Sequence, residues 1–268
     1  MILVNNLEVI MKKYKGVVFF DLDGTLLNEH KTIDPDVQAG LAQLKANGYL
    51  RVIASGRHET ELREIRQEAG INSFIALNGS YIEYDGQAIY KAQIDKAVVK
   101  DVVAVAKELQ ETVAFFSGHH TGRLGTTEIL KESFLYTKTP TPPLNPTFYE
   151  DYPVYMMLIF TKTNDKRYMY PFADQLTFYR NTPYSIDTVL KDTSKATGIN
   201  RLLTAMNLTN VPTYAFGDGN NDLPMLGFVD HPIAMGNGLD TVKDRAEYVT
   251  ETNERGGIVQ GLKHFNLI

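Results

Sequence analysis

The chain has 268 residues, of which 43% are hydrophobic, so it is long enough to bury one large core or two smaller ones. Its formal net charge of −5 argues against nucleic-acid binding through bulk positive charge, and the absence of cysteine excludes disulfides and thiolate chemistry and permits a cytoplasmic location. No apolar stretch approaches the roughly 18 residues of a membrane span, and residues 1–15 lack the features of a signal peptide, so we expect a soluble protein.

The first predicted strand ends on two acidic residues. Residues 16–20 form a short apolar run that is β-branched and aromatic, which favours a strand buried on both faces of a parallel sheet. Asp21 and Asp23 follow directly. In open α/β sheets, ligands bind beyond the carboxyl ends of the strands, so we expect both carboxylates at the mouth of the sheet. Gly24 frees the backbone to turn and to present its N–H groups to an anion.

Helices and strands alternate through the next part of the chain. The pattern predicts a helix that begins at Asp34-Pro35, with Asp34 as the capping residue, and ends at Gly48. It then predicts a strand over 49–54, a helix ending at Gly70 and a strand over 74–77. Ser55-Gly56-Arg57 and Asn78-Gly79 follow the two strands. This alternation is typical of a doubly wound parallel sheet.

The rhythm changes at Asp85-Gly86, which lies between two apolar runs and predicts a tight antiparallel hairpin. After it we predict an α+β region with helices over 95–110 and 166–175, strands over 154–160, 177–180 and 184–190, and an irregular proline-rich loop over 139–146. The alternating pattern resumes with a helix over 195–206 and a strand over 213–216. The expected organisation is a core domain, 1–83 and 191–268, interrupted by an α+β domain, 84–190.

Polar motifs follow three strands of the predicted core sheet. They are Asp21-Leu22-Asp23-Gly24-Thr25, Ser55-Gly56-Arg57 and Gly217-Asp218-Gly219-Asn220-Asn221-Asp222. Strand ends of one parallel sheet converge, and converged carboxylates repel one another unless a cation neutralises them. An all-oxygen site of this kind suits Mg²⁺, which also bridges to phosphate. A carboxylate can itself attack phosphorus and form an aspartyl phosphate.

The three motifs, in this order and with Lys195 before the last of them, resemble those of the haloacid dehalogenase superfamily of phosphatases. The insert after the serine motif and its α+β content resemble the Cof-type branch, which has a large cap of the IIB kind. The segments 234–238 and 246–250 are also similar to that branch. The resemblance extends over nearly the whole chain from Lys15. It implies a Rossmann-like doubly wound core with an inserted α+β cap domain and a Mg²⁺ cofactor.

The resemblance implies a role for each residue at the end of the first two strands. Asp21 would be the nucleophile and a Mg²⁺ ligand. Asp23 would protonate the leaving oxygen and later activate water, while its backbone carbonyl binds the metal. Ser55 would hydrogen-bond the transferring phosphoryl group, although a serine there is also a common helix cap. Lys195 would neutralise the charge shared by Asp21 and phosphate.

In the last motif, the resemblance implies that Asp218 completes the protein ligands to Mg²⁺, and that Asn221 and Asp222 hold the phosphate or support the residues that do. Two positions depart from the family pattern. Ala196 stands where glycine usually follows the lysine, and Asn237-Gly238 stands where Asn-Ala is common. Neither change removes a catalytic atom, so we expect any effect on substrate fit rather than on the reaction.

Four further residues are candidates for substrate contact. Arg57 suits either a substrate contact or an exposed salt bridge, and Asn78 suits either a turn or a substrate-side position. His119 and His120 lie in a predicted polar loop, 118–123, that could face the site. Because adjacent histidines rarely chelate one ion, we expect them to be solvated or to contact substrate rather than to bind metal.

The acidic motifs do not fit a calcium loop, and two other classes of protein would share part of the predicted site. A calcium loop needs glycine at its sixth position and glutamate at its twelfth, but these are Leu26 and Thr32 counted from Asp21, and Leu223 and Val229 counted from Asp218. A phosphosugar mutase would share the phosphoenzyme and return the group to a sugar. A catalytically silent phosphate-binding protein would keep the pocket, although it would gain nothing from a general acid beside the nucleophile.

The sequence therefore predicts a Mg²⁺-dependent phosphatase that hydrolyses a small phosphorylated metabolite through an aspartyl phosphate, with a mobile cap. The resemblance implies a sugar phosphate, or a cofactor phosphate such as a flavin or pyridoxal phosphate ester. We expect a cytoplasmic monomer or homodimer with no nucleic-acid or membrane partner. The cap supplies most of the specificity in such enzymes, and its residues carry no motif that names the substrate.

Overall fold

The computed structural model describes residues 14–268, so the expectation about a signal peptide in residues 1–15 falls almost entirely outside the described residues. The strands are β1 (Val17–Phe20), β2 (Leu50–Ala54), β3 (Ser73–Ala76), β4 (Tyr81–Tyr84), β5 (Gln87–Lys91), β6 (Thr112–Phe116), β7 (Thr121–Arg123), β8 (Met156–Phe160), β9 (Leu176–Tyr179), β10 (Ser185–Leu190), β11 (Thr213–Gly217), β12 (His231–Ala234) and β13 (Tyr248–Val249). The helices are α1 (Pro35–Ala46), α2 (Glu59–Ala69), α3 (Lys96–Glu108), α4 (Glu128–Thr137), α5 (Phe148–Asp151), α6 (Asp165–Met169), α7 (Lys195–Ala205), α8 (Leu223–Leu226), α9 (Asp240–Lys243) and α10 (Gly257–His264).

An eight-stranded sheet forms the core, in the order β13-β12-β11-β1-β2-β3-β4-β5. The strands from β13 to β3 run parallel, and β1 pairs with β2 on one side and β11 on the other. Helices cover both faces. The Rossmann-like α/β fold class predicted from the sequence is confirmed.

The apolar run of β1 explains why both faces of the sheet are buried. Because side chains alternate along a strand, Val18 and Phe20 pack with residues of α1, α2 and α10, while Val17 and Phe19 pack with residues of α7, α8 and α9. All four side chains of β1 are inaccessible to solvent. Asp21 is therefore carried by the most deeply buried part of the sheet.

The hairpin predicted at Asp85-Gly86 is confirmed, but it belongs to the core sheet. Asp85 and Gly86 both have positive φ, 46° and 85°, as a tight hairpin turn requires. The hairpin joins β4 to β5, and β4 pairs with β3. The core sheet thus extends to Lys91, past the boundary expected at residue 84, because Ile89 and Tyr90 pack against the core cluster that includes α7.

The inserted region contains a second sheet of five antiparallel strands, in the order β7-β6-β8-β10-β9. We call residues 92–190 the cap. One face of its sheet packs against α3, α5 and α6, and residues of the other face, including Phe116 and Met156, join a cluster that also contains Tyr81 of the core. The cap thus packs on the core through apolar contacts.

Three local predictions differ from the structure. The helix expected over 166–175 spans only Asp165–Met169, because Pro171 has no backbone N–H with which to continue the helical hydrogen bonds past Tyr170. The stretch over 118–123, expected to be a loop, includes strand β7. Asp34 does not cap α1 with its side chain, since its Oδ1 accepts from Asn28 Nδ2 at 2.7 Å. Within residues 14–268, no helix has both the length and the apolar character needed to cross a membrane.

Candidate active site

The polar motifs meet at one edge of the core sheet, as the sequence predicts. Asp21 follows β1, Ser55 follows β2, Asn78 follows β3 and Asp218 follows β11. These four strands are neighbours and run parallel, so their carboxyl ends lie side by side. The site is therefore built from segments that are far apart in the chain.

Asp21, Asp218 and Asp222 form a cluster of carboxylates around one ammonium group. One oxygen of each carboxylate lies within 4.8 Å of the others. Lys195 Nζ donates to Asp21 Oδ1 and, at 2.6 Å, to Asp222 Oδ1. The Lys195 side chain is completely buried, and those of Asp21 and Asp222 are nearly so. We call these four residues the carboxylate cluster.

Electrostatics within the carboxylate cluster is unbalanced, because three carboxylates surround a single ammonium. Burial and the charge of Asp222 raise the pKa of Asp21 well above its usual value, although Lys195 opposes this shift. Burial and Asp222 also raise the pKa of Asp218, to about 6. Burial alone would lower the pKa of Lys195, but the charges of Asp21 and Asp222 outweigh it and raise the pKa.

Lys195 reaches the cluster because α7 begins immediately beside it. The Ser194 side chain caps the helix by accepting from the backbone N–H of Thr197 at 3.2 Å. Gly79, with φ 101°, packs so closely on Ser194 that a Cβ there would overlap its carbonyl oxygen. The turn after β3 thus fixes the start of α7 and the position of Lys195.

The loop after β1 also holds Asp218. Thr25 Oγ1 donates to Asp218 Oδ1 at 2.9 Å. Gly24 has φ 79°, and a Cβ at this position would overlap the Asp218 carboxylate. Asp222 Oδ2 accepts from the backbone N–H groups of Asp218 and Gly219, both at 2.9 Å, which orders the second loop. Glycine is therefore required at position 24 both for the backbone turn and for space.

Asp23 lies outside the carboxylate cluster and is paired with two cations. Arg57 makes two hydrogen bonds to its carboxylate, each at 2.7 Å, and Lys31 Nζ donates at 2.6 Å. Burial raises the pKa of Asp23, but the hydrogen bonds and charges of Arg57 and Lys31 outweigh it and lower the pKa to about 2. Asp23 is therefore ionised in this arrangement, and Arg57 is a salt-bridge partner rather than a free substrate contact.

Ser55 and Asn78 lie next to one another at the ends of β2 and β3. Ser55 is buried, and its Oγ accepts from the backbone N–H of Arg57 at 3.1 Å. The N-cap of α2 is His58, not Ser55. Asn78 is also buried, and its Oδ1 accepts from Asn221 Nδ2 at 3.3 Å. Asn78 therefore links the ends of β3 and β11.

The two candidate histidines of the cap contact other residues. His119 Nδ1 lies 3.1 Å from Glu59 Oε2, and its ring lies against Tyr81. The ring of His120 packs on Tyr152, with centroids 4.6 Å apart. In the part of the chain that the structure describes, neither histidine hydrogen-bonds a residue of the carboxylate cluster. Their predicted contact with substrate stays a prediction.

The residues present fit a hard divalent cation. Among the described residues, three carboxylates offer oxygens close enough to share one metal ion, and Lys195 only partly offsets their negative charge. Asp222 already accepts from Lys195 and from two backbone N–H groups, so Asp21 and Asp218 are the side chains with oxygens available for a metal. These two carboxylates could therefore hold a metal ion.

Three residues near the site were not singled out from the sequence. Lys31 pairs with Asp23, Thr25 holds Asp218, and Asp187 of the cap accepts from Asn78 Nδ2 at 2.8 Å. Thr25 lies within a motif and could have been assigned from its position. Lys31 and Asp187 belong to no motif, and only the fold brings them to the site.

Comparison with known proteins agrees with this geometry. Residues 18–262 match the model of the haloacid dehalogenase-like hydrolase family. The chain is 30% identical over 253 residues to Bacillus subtilis YkrA, covering 94% of this chain and 98% of YkrA. It is 27% identical over 270 residues to B. subtilis YitU, a 5-amino-6-(5-phospho-D-ribitylamino)uracil phosphatase, covering 93% and 97%.

Solved structures give the same result. The structure of BT4131, a subclass IIB sugar phosphatase, superposes with a TM-score of 0.84 at 27% identity and covers 94% of this chain and 100% of its own. The resemblance predicted from the motifs, to a Cof-type phosphatase with a IIB cap, is confirmed. The chain belongs to the haloacid dehalogenase-like hydrolase family.

Proposed function

We propose that this protein is a Mg²⁺-dependent phosphatase that hydrolyses small phosphorylated metabolites through an aspartyl phosphate on Asp21. The observation that carries the proposal is the carboxylate cluster, in which Asp21 ends a buried strand beside Asp218 and a buried ammonium. Asp21 is the nucleophile, because it is the carboxylate that both contacts Lys195 and lies at the central strand. The Asp21 and Asp218 side chains, with the backbone carbonyl of Asp23, would hold Mg²⁺.

The first step transfers the phosphoryl group. Asp21 attacks phosphorus, the bond from phosphorus to the ester oxygen breaks, and Asp23 supplies the proton that the leaving oxygen requires. Ser55 and Asn221 bind the phosphoryl oxygens, and Lys195 offsets the charge that Asp21 shares with them. When bound, Mg²⁺ would offset further negative charge on the carboxylates and the phosphoryl oxygens.

The second step hydrolyses the aspartyl phosphate and regenerates the free Asp21 carboxylate. Water attacks the phosphorus of the aspartyl phosphate, Asp23 takes the proton, and inorganic phosphate leaves while the Asp21 carboxylate is restored. The ion pairs with Arg57 and Lys31 suit this step, because they keep Asp23 ionised. The first step needs Asp23 protonated, so its pairing with Arg57 must loosen when substrate and Mg²⁺ bind.

The substrate class follows from the kind of site and from two relatives. YitU acts on a phosphorylated ribitylaminouracil, and BT4131 is a sugar phosphatase. We propose a cytoplasmic sugar phosphate or cofactor phosphate as the substrate, with the cap closing over the part of it that leaves. We expect the cap to determine which substrate binds, because Asp187 of its sheet accepts a hydrogen bond from Asn78 beside the site.

A screen of phosphorylated metabolites for release of inorganic phosphate tests the proposed function. We expect turnover with Mg²⁺ and none with excess EDTA, and restoration when Mg²⁺ is added back. Product analysis must show free phosphate, because an isomerised sugar phosphate would mean a mutase. Binding of the same esters without any phosphate release would mean a silent binding protein.

The metal can also be followed without turnover. Mg²⁺ should raise the midpoint of thermal unfolding of the wild-type protein, because it binds the folded carboxylate cluster and relieves its repulsion. Asp218→Asn should lose most of this rise, while Asp174→Asn, which changes an exposed carboxylate of the cap, should keep it. An equal rise in both variants would contradict a metal site at Asp218.

A further inference from the structure

Asp187 is an acidic residue of the cap that reaches the core. It lies in β10, opposite Leu158 of β8 and Tyr179 of β9. Its side chain is partly buried between the two sheets and accepts two hydrogen bonds at Oδ2, from Asn78 Nδ2 of the core at 2.8 Å and from Asn181 Nδ2 of the cap at 3.1 Å. The cap thus touches the core through a carboxylate next to the active site.

The contact with Asp187 sets the orientation of the Asn78 amide. An ionised carboxylate can only accept, so Asn78 must turn its NH₂ group towards Asp187 and its oxygen the other way. That oxygen accepts from Asn221 Nδ2 at 3.3 Å. If the amide were reversed, two NH₂ groups would face one another between Asn78 and Asn221, and the hydrogen bond would be lost. Asp187 therefore controls which way the Asn221 side chain is held.

Asn78 is well placed to transmit this effect, because its surroundings leave it little freedom. It is 1% exposed and has a left-handed backbone conformation, with φ 52° and ψ 32°. Gly56 leaves the room that the Asn78 side chain occupies, since a Cβ at Gly56 would lie 3.1 Å from Asn78 Oδ1. With the backbone and the space around it fixed, the amide has two possible orientations, and the acceptor on the cap selects one.

We propose that Asp187 is a positioning residue. When the cap packs on the core, Asp187 accepts a hydrogen bond that orients Asn78, and Asn78 in turn orients Asn221, which binds phosphate. The phosphate site is then complete only when the cap lies on the core, which couples substrate enclosure to phosphate binding. This inference rests on the proposed function, because it takes Asn221 to bind phosphate. Asp187 itself touches neither the nucleophile nor, in this role, the substrate.

The ionisation of Asp187 agrees with an acceptor role. Burial raises its pKa to about 6, although the hydrogen bonds from Asn78 and Asn181 and the charge of Lys195 oppose the shift. At neutral pH the carboxylate is therefore mostly ionised and has no proton to donate. Keeping an ionised group in this partly buried position has a free-energy cost, which the two amide donors reduce.

The test compares two substitutions of similar size. Asp187→Leu removes the acceptor, whereas Asp187→Asn can keep an oxygen in the same place. We expect the Kd for inorganic phosphate, measured by calorimetry with Mg²⁺ present, to rise about tenfold in Asp187→Leu and less than about threefold in Asp187→Asn. The values of kcat/KM should fall by the same factors. Asp174→Leu, at an exposed acid of the cap, is the matched control and should leave both unchanged.

A double-mutant cycle shows whether Asp187 acts through Asn78. In an Asn78→Ala background, Asp187→Leu should cause no further loss of phosphate affinity. If the double variant loses phosphate affinity by the product of the two single factors, the proposal is overturned, because Asp187 would then act independently of Asn78. Equal damage from Asp187→Asn and Asp187→Leu would also overturn it, since the charge rather than the acceptor would matter. If Asp187 had only a structural role, its substitution would lower the midpoint of thermal unfolding, and Asp187→Asn would not preserve phosphate affinity better than Asp187→Leu.

The phosphate measurement separates this inference from the proposed function. If the wild type binds phosphate but releases none from any ester, the proposed function fails, and the effect of Asp187→Leu on phosphate binding still decides the inference. If the wild type hydrolyses esters and Asp187→Leu matches it in phosphate affinity, the inference alone fails. If the wild type does not bind phosphate, the inference is overturned, and the screen for phosphate release alone decides the proposed function.

Discussion

Asp21 and Asp23 are separated by a single residue, yet their surroundings are opposite. Asp21 belongs to the carboxylate cluster, where it shares one buried ammonium with two other acids. Asp23 lies at the rim, where two cations, Arg57 and Lys31, pair with one carboxylate that is 44% exposed. The pKa of Asp21 is accordingly raised and that of Asp23 lowered. The two identical side chains differ because Asp21 is buried and shares one cation with other carboxylates, whereas Asp23 is more exposed and pairs with two cations.

The largest effect should come from the nucleophile. Asp21→Asn keeps the shape of the side chain but removes the attacking oxygen charge, so we expect kcat to fall at least about 10³-fold. Phosphate release measured on the best ester from the screen checks this, with Asp174→Asn as the control for an exposed acid. Turnover within tenfold of the wild type would mean that Asp21 is not the nucleophile.

Substitution of Lys195 tests whether the stability of the carboxylate cluster depends on its single cation. Lys195→Met keeps the length of the side chain and leaves the buried carboxylates of Asp21 and Asp222 without a positive partner. We therefore expect the free energy of unfolding to fall by about 3 kcal/mol at pH 7 without Mg²⁺. Urea denaturation measures it. A loss below about 1 kcal/mol would show that the carboxylates do not need this ammonium, which would contradict the electrostatic imbalance described above.

Asp23 should matter most where the leaving group needs a proton. Asp23→Asn should lower kcat/KM about 10²-fold for alkyl phosphates, and much less for p-nitrophenyl phosphate, whose leaving oxygen is already a stable anion. The measurement is the ratio of the decrease in kcat/KM for an alkyl phosphate to the decrease for p-nitrophenyl phosphate. Equal losses with both substrates would assign Asp23 a role other than proton transfer.

The smallest effect should come from the rim. Arg57→Ala removes a bidentate partner of Asp23, but the carboxylate stays partly exposed and Lys31 still pairs with it. We expect the free energy of unfolding to fall by no more than about 1 kcal/mol, and by less in high salt. A loss as large as that in Lys195→Met would remove the distinction between rim and cluster.

Much of the core could be predicted from the sequence because its signals are local. The apolar residues of β1 identify a buried strand, Gly70 and Asp85-Gly86 mark a helix end and a hairpin, and the acidic motifs follow strands that must converge. These signals predict the fold class and bring the acidic residues of the carboxylate cluster together, whereas Lys195 is assigned only through the resemblance to the family. They needed no knowledge of which distant residues pack together.

The rest depends on contacts between segments far apart in the chain. Whether β5 stays on the core sheet is decided by the packing of Ile89 and Tyr90 near α7, which no local pattern encodes. In the sequence, Asp187 is one polar residue of a predicted strand. Its contact with Asn78 depends on how the cap packs on the core. The pairing of Asp23 with Lys31 likewise follows from the path of a loop.

The position of β1 has a consequence for the order in which the protein is made. Its partner β2 follows soon in the chain, but β11, its neighbour on the other side, begins only at Thr213. The cap, whose strands pair among themselves, is fully synthesised before then. We therefore expect the cap to fold on the ribosome while the core sheet waits for its second half. Asp218 and Asp222 are the last residues of the carboxylate cluster to be synthesised. The cap is therefore complete before the active site is.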